Sequence, residues 1–245
     1  MVPASVGFQC VECVSVATRE VRRMRTVLGG RPTASASVTI SIVALSIMAF
    51  LFQMGMGIGT SAIEFGMVPG AIALDDQWWR LLSPVLLHGS LLHLFFNMYV
   101  LWMLGQQLER VLGHSRFLAL YVVSALGGSA ASYAFSGLQT VSVGASGAVF
   151  GLMAALVITG RFLRYDVSQA VVLIGINTVI GFVVPGIDWR AHLGGLITGG
   201  LIALVFARAP RQARAMWQWG GVVAVVLVAG SVVAWRTSQI LALVG

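Results

Sequence analysis

Gly144-Ala145-Ser146-Gly147-Ala148-Val149-Phe150-Gly151-Leu152-Met153-Ala154-Ala155-Leu156-Val157-Ile158-Thr159-Gly160 is an uncharged run whose only polar side chains are Ser146 and Thr159. Such a stretch reads as a membrane span, although a helix crossing the hydrocarbon core usually needs about 20 residues and this one is short. The rest of the chain agrees, since 58% of its 245 residues are apolar and only 9% are charged. Its mean hydropathy is +0.92. A soluble domain of this length does not have that composition.

Working outward from this run, seven apolar stretches can be marked: Val38–Gly57, Leu91–Leu108, Phe117–Phe135, Ser146–Gly160, Val167–Val184, His192–Ala207 and Trp219–Trp235. The fold class expected is an all-α polytopic membrane bundle of about seven transmembrane helices. The fourth and sixth stretches are short, as spans bordering a water-filled cavity often are.

All fifteen positive charges are arginine. Arg19, Arg22, Arg23, Arg25 and Arg31 precede the first stretch, Arg110 and Arg116 join the second to the third, and Arg161 and Arg164 join the fourth to the fifth. Arg208, Arg211 and Arg214 join the sixth to the seventh, which leaves Arg80, Arg190 and Arg236 on the other face. By the positive-inside rule the N-terminus is cytoplasmic and the seventh helix ends outside. The net charge of +7 then describes anchoring to the inner leaflet of a cell membrane. Nucleic acid is excluded as a partner, because no basic stripe is interleaved with stacking aromatics.

Residues 1–36 form a cytoplasmic basic segment without the apolar core of a cleaved signal peptide. Cys10 and Cys13 make one C-x-x-C, which is half of a tetrahedral zinc site. The segment reads either as the tail of a zinc module or as a disordered leader with two incidental thiols. Within the chain itself no metal site and no cofactor are expected. The connector Ile58–Ser90 is long and holds Trp78, Trp79 and Arg80, a combination suited to the headgroup level of the outer leaflet.

Several polar residues stand where a span makes them costly. His93 and Asn97 are four apart on one helical face, for a cavity or for helix–helix hydrogen bonding. Ser146 opens the fourth span beside the free N–H groups of a helix N-terminus, donors that can stabilise an oxyanion. A serine needs a base within hydrogen-bond reach to become a nucleophile. His192, in Ala191-His192-Leu193-Gly194-Gly195, opens the sixth span on the same side of the membrane. Gly147 with Gly151, and Gly195 with Gly199, repeat the small-residue spacing that lets two helix backbones approach. Each glycine pair also fits generic packing with another helix.

Taken in order, these residues resemble the rhomboid family of intramembrane serine proteases. Trp79-Arg80 is similar to the family's Trp-Arg, His93 and Asn97 to its His-x-x-x-Asn, and Gly105, Glu109 and Gly113 to its Gly-x-x-x-Glu-x-x-x-Gly. Gly144, Ser146 and Gly147 match Gly-x-Ser-Gly, and Ala191, His192, Gly195 and Gly199 match Ala-His-x-x-Gly-x-x-x-Gly. The resemblance covers roughly Trp78 to Ala207. It implies a serine endopeptidase with a Ser146–His192 dyad and no third acid, although Asp188 is near in sequence. It also implies an oxyanion hole formed by the Ser146 N–H with the side chains of His93 and Asn97, and Phe150 packed on the base. Trp79, Arg80, Glu109, Gly144, Gly195 and Gly199 take supporting roles. Ser83, His88 and Ser90 help to wet the site, and His88 reads as a structural hydrogen-bonding residue outside the catalytic set.

On this reading residues 37–208 are a six-helix catalytic core, residues 209–245 add a C-terminal helix, and the site opens to the outer face. The substrates implied are transmembrane proteins, cut where helix-destabilising residues allow the backbone to extend. A metalloprotease would need H-E-x-x-H, which is absent. Tyr165-Asp166 lacks the second intramembrane aspartate of an aspartyl protease, and no internal repeat of a transporter is seen. The alternative retained is a non-proteolytic relative that binds membrane clients.

Overall fold

The computed structural model describes residues 1–3, 7–20, 25–184 and 186–244. Arg22 and Arg23, counted above on the cytoplasmic side, lie outside the described residues. The chain begins with a two-stranded hairpin, β1 (Val2–Pro3) and β2 (Phe8–Gln9), followed by the helix α1 (Val11–Glu20). Helices then follow one another: α2 (Ser37–Met56), α3 (Ile58–Phe65), α4 (Pro69–Leu74), α5 (Leu91–Leu112) and α6 (His114–Phe135). The remainder is α7 (Ser146–Phe162), α8 (Ser168–Val183), α9 (Trp189–Arg208) and α10 (Arg214–Val244). The architecture is an all-α bundle, and α2 and α5 to α10 occupy the seven apolar stretches.

Among the described residues four helices are long and apolar enough to cross a membrane: Ser37–Met56, His114–Phe135, Trp189–Arg208 and Arg211–Val244. Ser146–Phe162 and Ser168–Val183 are shorter apolar helices. The outside of the bundle is as apolar as its core, with Phe52, Val179, Phe182, Leu227 and Val228 all exposed. Water would not tolerate so continuous a surface, whereas lipid requires it.

At the centre, α6, α7 and α9 pack backbone to backbone. A Cβ on Gly195 would stand 1.9 Å from the Gly147 carbonyl oxygen, and one on Gly199 would stand 2.3 Å from the Gly151 Cα. On the other side of α9, a Cβ on Gly194 would meet the Gly127 carbonyl oxygen at 2.4 Å. Only hydrogen fits at these positions. The absence of side chains therefore sets the distance between the helices that carry Ser146 and His192.

The opposite end of the bundle is closed by a carboxylate. Glu109, fully buried near the end of α5, accepts the backbone N–H groups of Val38 and Thr39, each at 2.9 Å, and the Thr39 hydroxyl at 2.7 Å. Ala36 gives α2 no side-chain cap. Glu109 thus acts as its N-cap from another helix, satisfying donors that would otherwise be orphaned and placing a negative group at the positive end of the helix dipole. His114 Nδ1 holds the same carboxylate at 2.5 Å.

Two sequence expectations are corrected here. Residues 25–31 are not a loose leader: Leu28 is 1% exposed within the core, and its carbonyl accepts from Gln218 Nε2 at 2.9 Å. The final helix does not stop at Trp235, where Arg236 breaks the apolar pattern, but continues to Val244. Its reason is a stripe at helical spacing, with Val233 and Ile240 buried and the Thr237 hydroxyl 2.7 Å from that of Tyr133 on α6. Arg236 is carried along beside that stripe, half-buried, with Nη2 donating to the Ser136 carbonyl at 3.5 Å.

Candidate active site

Ser146 is the first residue of α7, so its N–H and those of Gly147 and Ala148 have no helical acceptor. The loop that delivers it is fixed from outside. Met67 and Ser142 exchange two backbone hydrogen bonds at 3.0 Å, Gly70 N–H donates to Leu138, and Gly144 N–H donates to Pro84, both at 2.9 Å. Gly144 has φ +133°, a conformation costly for any residue with a Cβ. A Cβ there would also stand 2.9 Å from His93 Nε2 and 3.6 Å from Ser146 Oγ. The glycine keeps open the one small space onto which both groups face.

His192 lies in the first turn of α9, and its Nε2 is 2.8 Å from Ser146 Oγ. Phe150, one turn after Ser146 and 4% exposed, stacks on the imidazole with centroids 4.3 Å apart and planes at 15°. The ring is thereby held in a single plane. Nδ1 of His192 is buried without a hydrogen-bond partner, and the face of α8 at Gly181 closes on it, where a Cβ would be 3.1 Å away. Asp188 does not reach the ring. Its carboxylate caps α9 by accepting from the N–H groups of Arg190 at 3.1 Å and Ala191 at 3.2 Å, and it accepts the Ser132 hydroxyl.

His93, in the first turn of α5, accepts the Gly89 N–H on Nδ1 at 3.3 Å. In the neutral ring this assigns the proton to Nε2, making it a donor on the side that faces Gly144 and Ser146. The Asn97 amide is buried and donates to the His93 carbonyl at 2.9 Å. Ser90 caps the same helix, accepting the His93 N–H at 3.1 Å, and Ser83 donates to the Phe65 carbonyl at 2.6 Å. A cavity of about 40 Å³ lies beside His192, walled by Phe150, Thr178, Phe182, Trp189, Leu193 and Leu196.

The match that decides the family spans the same residues: the family model for the Rhomboid domain fits residues 75–209, more than half of the chain. The chain belongs to the rhomboid family. It is 41% identical over 142 residues to Rhomboid protease GluP of Bacillus subtilis, a stretch that is 56% of this chain and 28% of that protein. To Putative rhomboid protease YdcA of the same organism it is 35% identical over 136 residues, covering 54% of this chain and 68% of the relative. Rhomboid protease AarA of Providencia stuartii is 30% identical over 184 residues, covering 63% and 65% respectively. This rhomboid chain therefore spans less than a third of GluP and about two thirds of the other two.

Within this rhomboid fold, two residues behave differently from their sequence reading. Arg80 does not reach out to lipid phosphate. It is 5% exposed, and its Nη1 donates to the carbonyls of Ile63 and Gly66 at 2.7 and 2.9 Å, closing the end of α3, while Nε donates to Gln77. Trp79 beside it stays half-exposed, its ring under the guanidinium at 4.9 Å. His88 is fully buried, and neither ring nitrogen has a partner at normal hydrogen-bond geometry. Its ring instead packs edge-on against His93 at 5.2 Å, and its backbone N–H donates to Gln53 at 2.9 Å.

Gln53 and Ser132 escaped the sequence reading. A lone glutamine within the first apolar stretch was the available signal for Gln53, which also donates to Ser61 at 3.2 Å. Cys10 and Cys13 are exposed, and among the described residues no three His, Cys, Asp or Glu side chains converge as a metal site would require.

Proposed function

We propose that the chain is an intramembrane serine endopeptidase in which Ser146 is the nucleophile and His192 the general base. The observation that carries this reading is the 2.8 Å contact between His192 Nε2 and Ser146 Oγ beneath the Phe150 ring. Ser146 Oγ attacks the scissile carbonyl carbon while His192 Nε2 takes its proton. The carbonyl oxygen, now an oxyanion, is held by the Ser146 N–H, by His93 Nε2–H and by the second N–H of the Asn97 amide. The imidazolium then gives its proton to the departing amine, leaving an acyl-enzyme on Ser146. Water, deprotonated by the same histidine, releases the new carboxylate.

The substrates proposed are transmembrane proteins, cut where the helix yields to an extended strand, because lipid leaves unpaired amides unsatisfied. The arginine distribution supports a cytoplasmic N-terminus and a site opening to the outer face. Residues 37–208 are proposed as the catalytic core, with residues 1–36 and 209–245 as additions to it.

The test compares wild type with Ser146→Ala and His192→Ala on a tagged transmembrane substrate in liposomes, with a fluorophosphonate probe alongside. Cleavage and labelling by wild type alone are expected. Cleavage by Ser146→Ala would sink the mechanism. Silence of wild type towards both substrates and probe would favour the client-binding alternative.

A further inference from the structure

At the end of the bundle remote from Ser146 lies a cavity of about 770 Å³, within the range of small-molecule sites. Four arginines from three parts of the chain line it: Arg25 before α2, Arg116 in the first turn of α6, and Arg211 and Arg214 just before and at the start of α10. Among the described residues no acidic side chain lines it. Among the described residues none of these arginines forms a salt bridge.

The guanidinium groups are anchored but not neutralised. Arg25 Nη1 donates to the Gly29 carbonyl at 3.1 Å, Arg214 Nη1 to the Val27 carbonyl at 3.0 Å, and Arg116 Nε to Gln218 Oε1 at 2.7 Å. Arg116 is 6% exposed, and Arg214 Nε is buried without a partner. Each guanidinium has five N–H donors in a planar fork suited to phosphate, and the protein's own acceptors occupy only a fraction of them. Like charges gathered around a cavity repel one another unless an anion joins them. Met216 in its lining is exposed, and so are Trp217 and Trp219 in the first turns of α10, as residues at a lipid headgroup boundary are.

We propose that this cavity binds a phosphate group, presented by the headgroup of an anionic phospholipid. Bound there, the phosphate bridges residues 25–29 to the start of α6 and to the α9–α10 turn. The proposal is independent of the chemistry at Ser146.

Full-length protein in neutral detergent, at fixed ionic strength, is titrated with phosphatidylglycerol, with phosphatidylcholine or with sodium phosphate while thermal unfolding is followed by tryptophan fluorescence. Phosphatidylglycerol is expected to raise the midpoint and phosphatidylcholine to leave it unchanged. Arg25→Gln with Arg211→Gln is expected to weaken the lipid about thirtyfold, roughly fivefold per arginine. Arg161→Gln with Arg164→Gln, both exposed, in the last turn of α7 and the turn that follows it and outside the cavity, is the control of equal charge and is expected to change it less than threefold. If sodium phosphate reproduces both the stabilisation and its loss in the cavity pair, the site stands and its ligand is free phosphate. Equal weakening in the two pairs, or no response of wild type to any anion, overturns the proposal.

Discussion

Asp188 and His192 stand one turn apart at the start of α9, joined through the backbone by His192 N–H to the Asp188 carbonyl at 3.2 Å, yet their side chains do not meet. The carboxylate is committed to the helix N-terminus and to Ser132, while His192 Nδ1 has no partner. Asp188→Asn keeps an oxygen for the cap and is expected to retain cleavage within about fivefold, whereas an acid orienting the base in a triad costs about 10⁴ when changed to its amide. Asp188→Ala should lower stability by about 1 kcal/mol through loss of the cap. Initial rates and unfolding midpoints of the two variants separate these roles.

Gly144→Ala places a methyl group 2.8 Å from the His93 ring at a φ of +133°. The backbone strain is expected to cost about 1–3 kcal/mol. The proposed oxyanion space is filled at the same time, so kcat should fall at least about 100-fold. A variant that folds and cuts at the wild-type rate would remove His93 and Gly144 from the mechanism.

His93→Ala removes the Nε2–H donor while leaving the Ser90 cap on the backbone of α5. Cleavage is expected to drop by about 10² to 10³, the usual effect of losing one oxyanion donor. Labelling of Ser146 by the fluorophosphonate should persist, which distinguishes loss of stabilisation from loss of the nucleophile. His88→Ala, which removes the ring packed edge-on against His93, should show a smaller fall of the same kind.

Glu109→Ala leaves three donors around Thr39 and Val38 without their acceptor, at about 1–3 kcal/mol per orphaned group and less than additively. A loss of roughly 3 kcal/mol is expected, moving the unfolding midpoint down by about 6–12 °C. Glu109→Gln, with one acceptor oxygen left, should lose about half as much. The kcat of the folded fraction should not change, since Glu109 lies at the far end of the bundle from Ser146.

Gly199→Leu forces a side chain into a contact already filled by the Gly151 backbone, and the cost should exceed the roughly 1–3 kcal/mol of ordinary overpacking. The variant is expected to accumulate poorly and to lose cleavage. Gly230→Ala on α10, where a Cβ meets nothing within 4 Å, should change stability by less than about 1 kcal/mol. Comparing folded yield and midpoint for the two separates a structural glycine from an incidental one.

The legible parts of this chain are those whose cause is local in sequence. Apolar runs fixed the positions of the helices, and charge counting set the starts of α7 and α9 at one end of the bundle, as the Ser146–His192 contact requires. Gly147, Gly151, Gly195 and Gly199 could be read because a helix repeats its face every three to four residues. Arg80 could not, since Trp-Arg reads alike whether the guanidinium meets lipid phosphate or the carbonyls of a helix seventeen residues earlier. Leu28 lies in a short stretch between Arg25 and Arg31, with no periodicity to show that its side chain joins the core while its carbonyl meets the Gln218 amide. His88 carries no periodicity, because its neighbour His93 is reached across a loop.

Where α7 and α9 touch, the contact is peptide against peptide, and peptide groups have no rotamers with which to absorb a displacement. Ser146 and His192 are therefore mounted on one stiff frame, and their spacing is insulated from bilayer thickness, lateral pressure and the bulk of an arriving polypeptide. Compliance has to reside elsewhere, in joints cushioned by side chains. Along α8, Gly181 alone is buried, so that helix is the most weakly seated of those around His192. A variant library would register the division directly, with intolerance concentrated along the glycine seam and substitutions accumulating on the lipid side of α8.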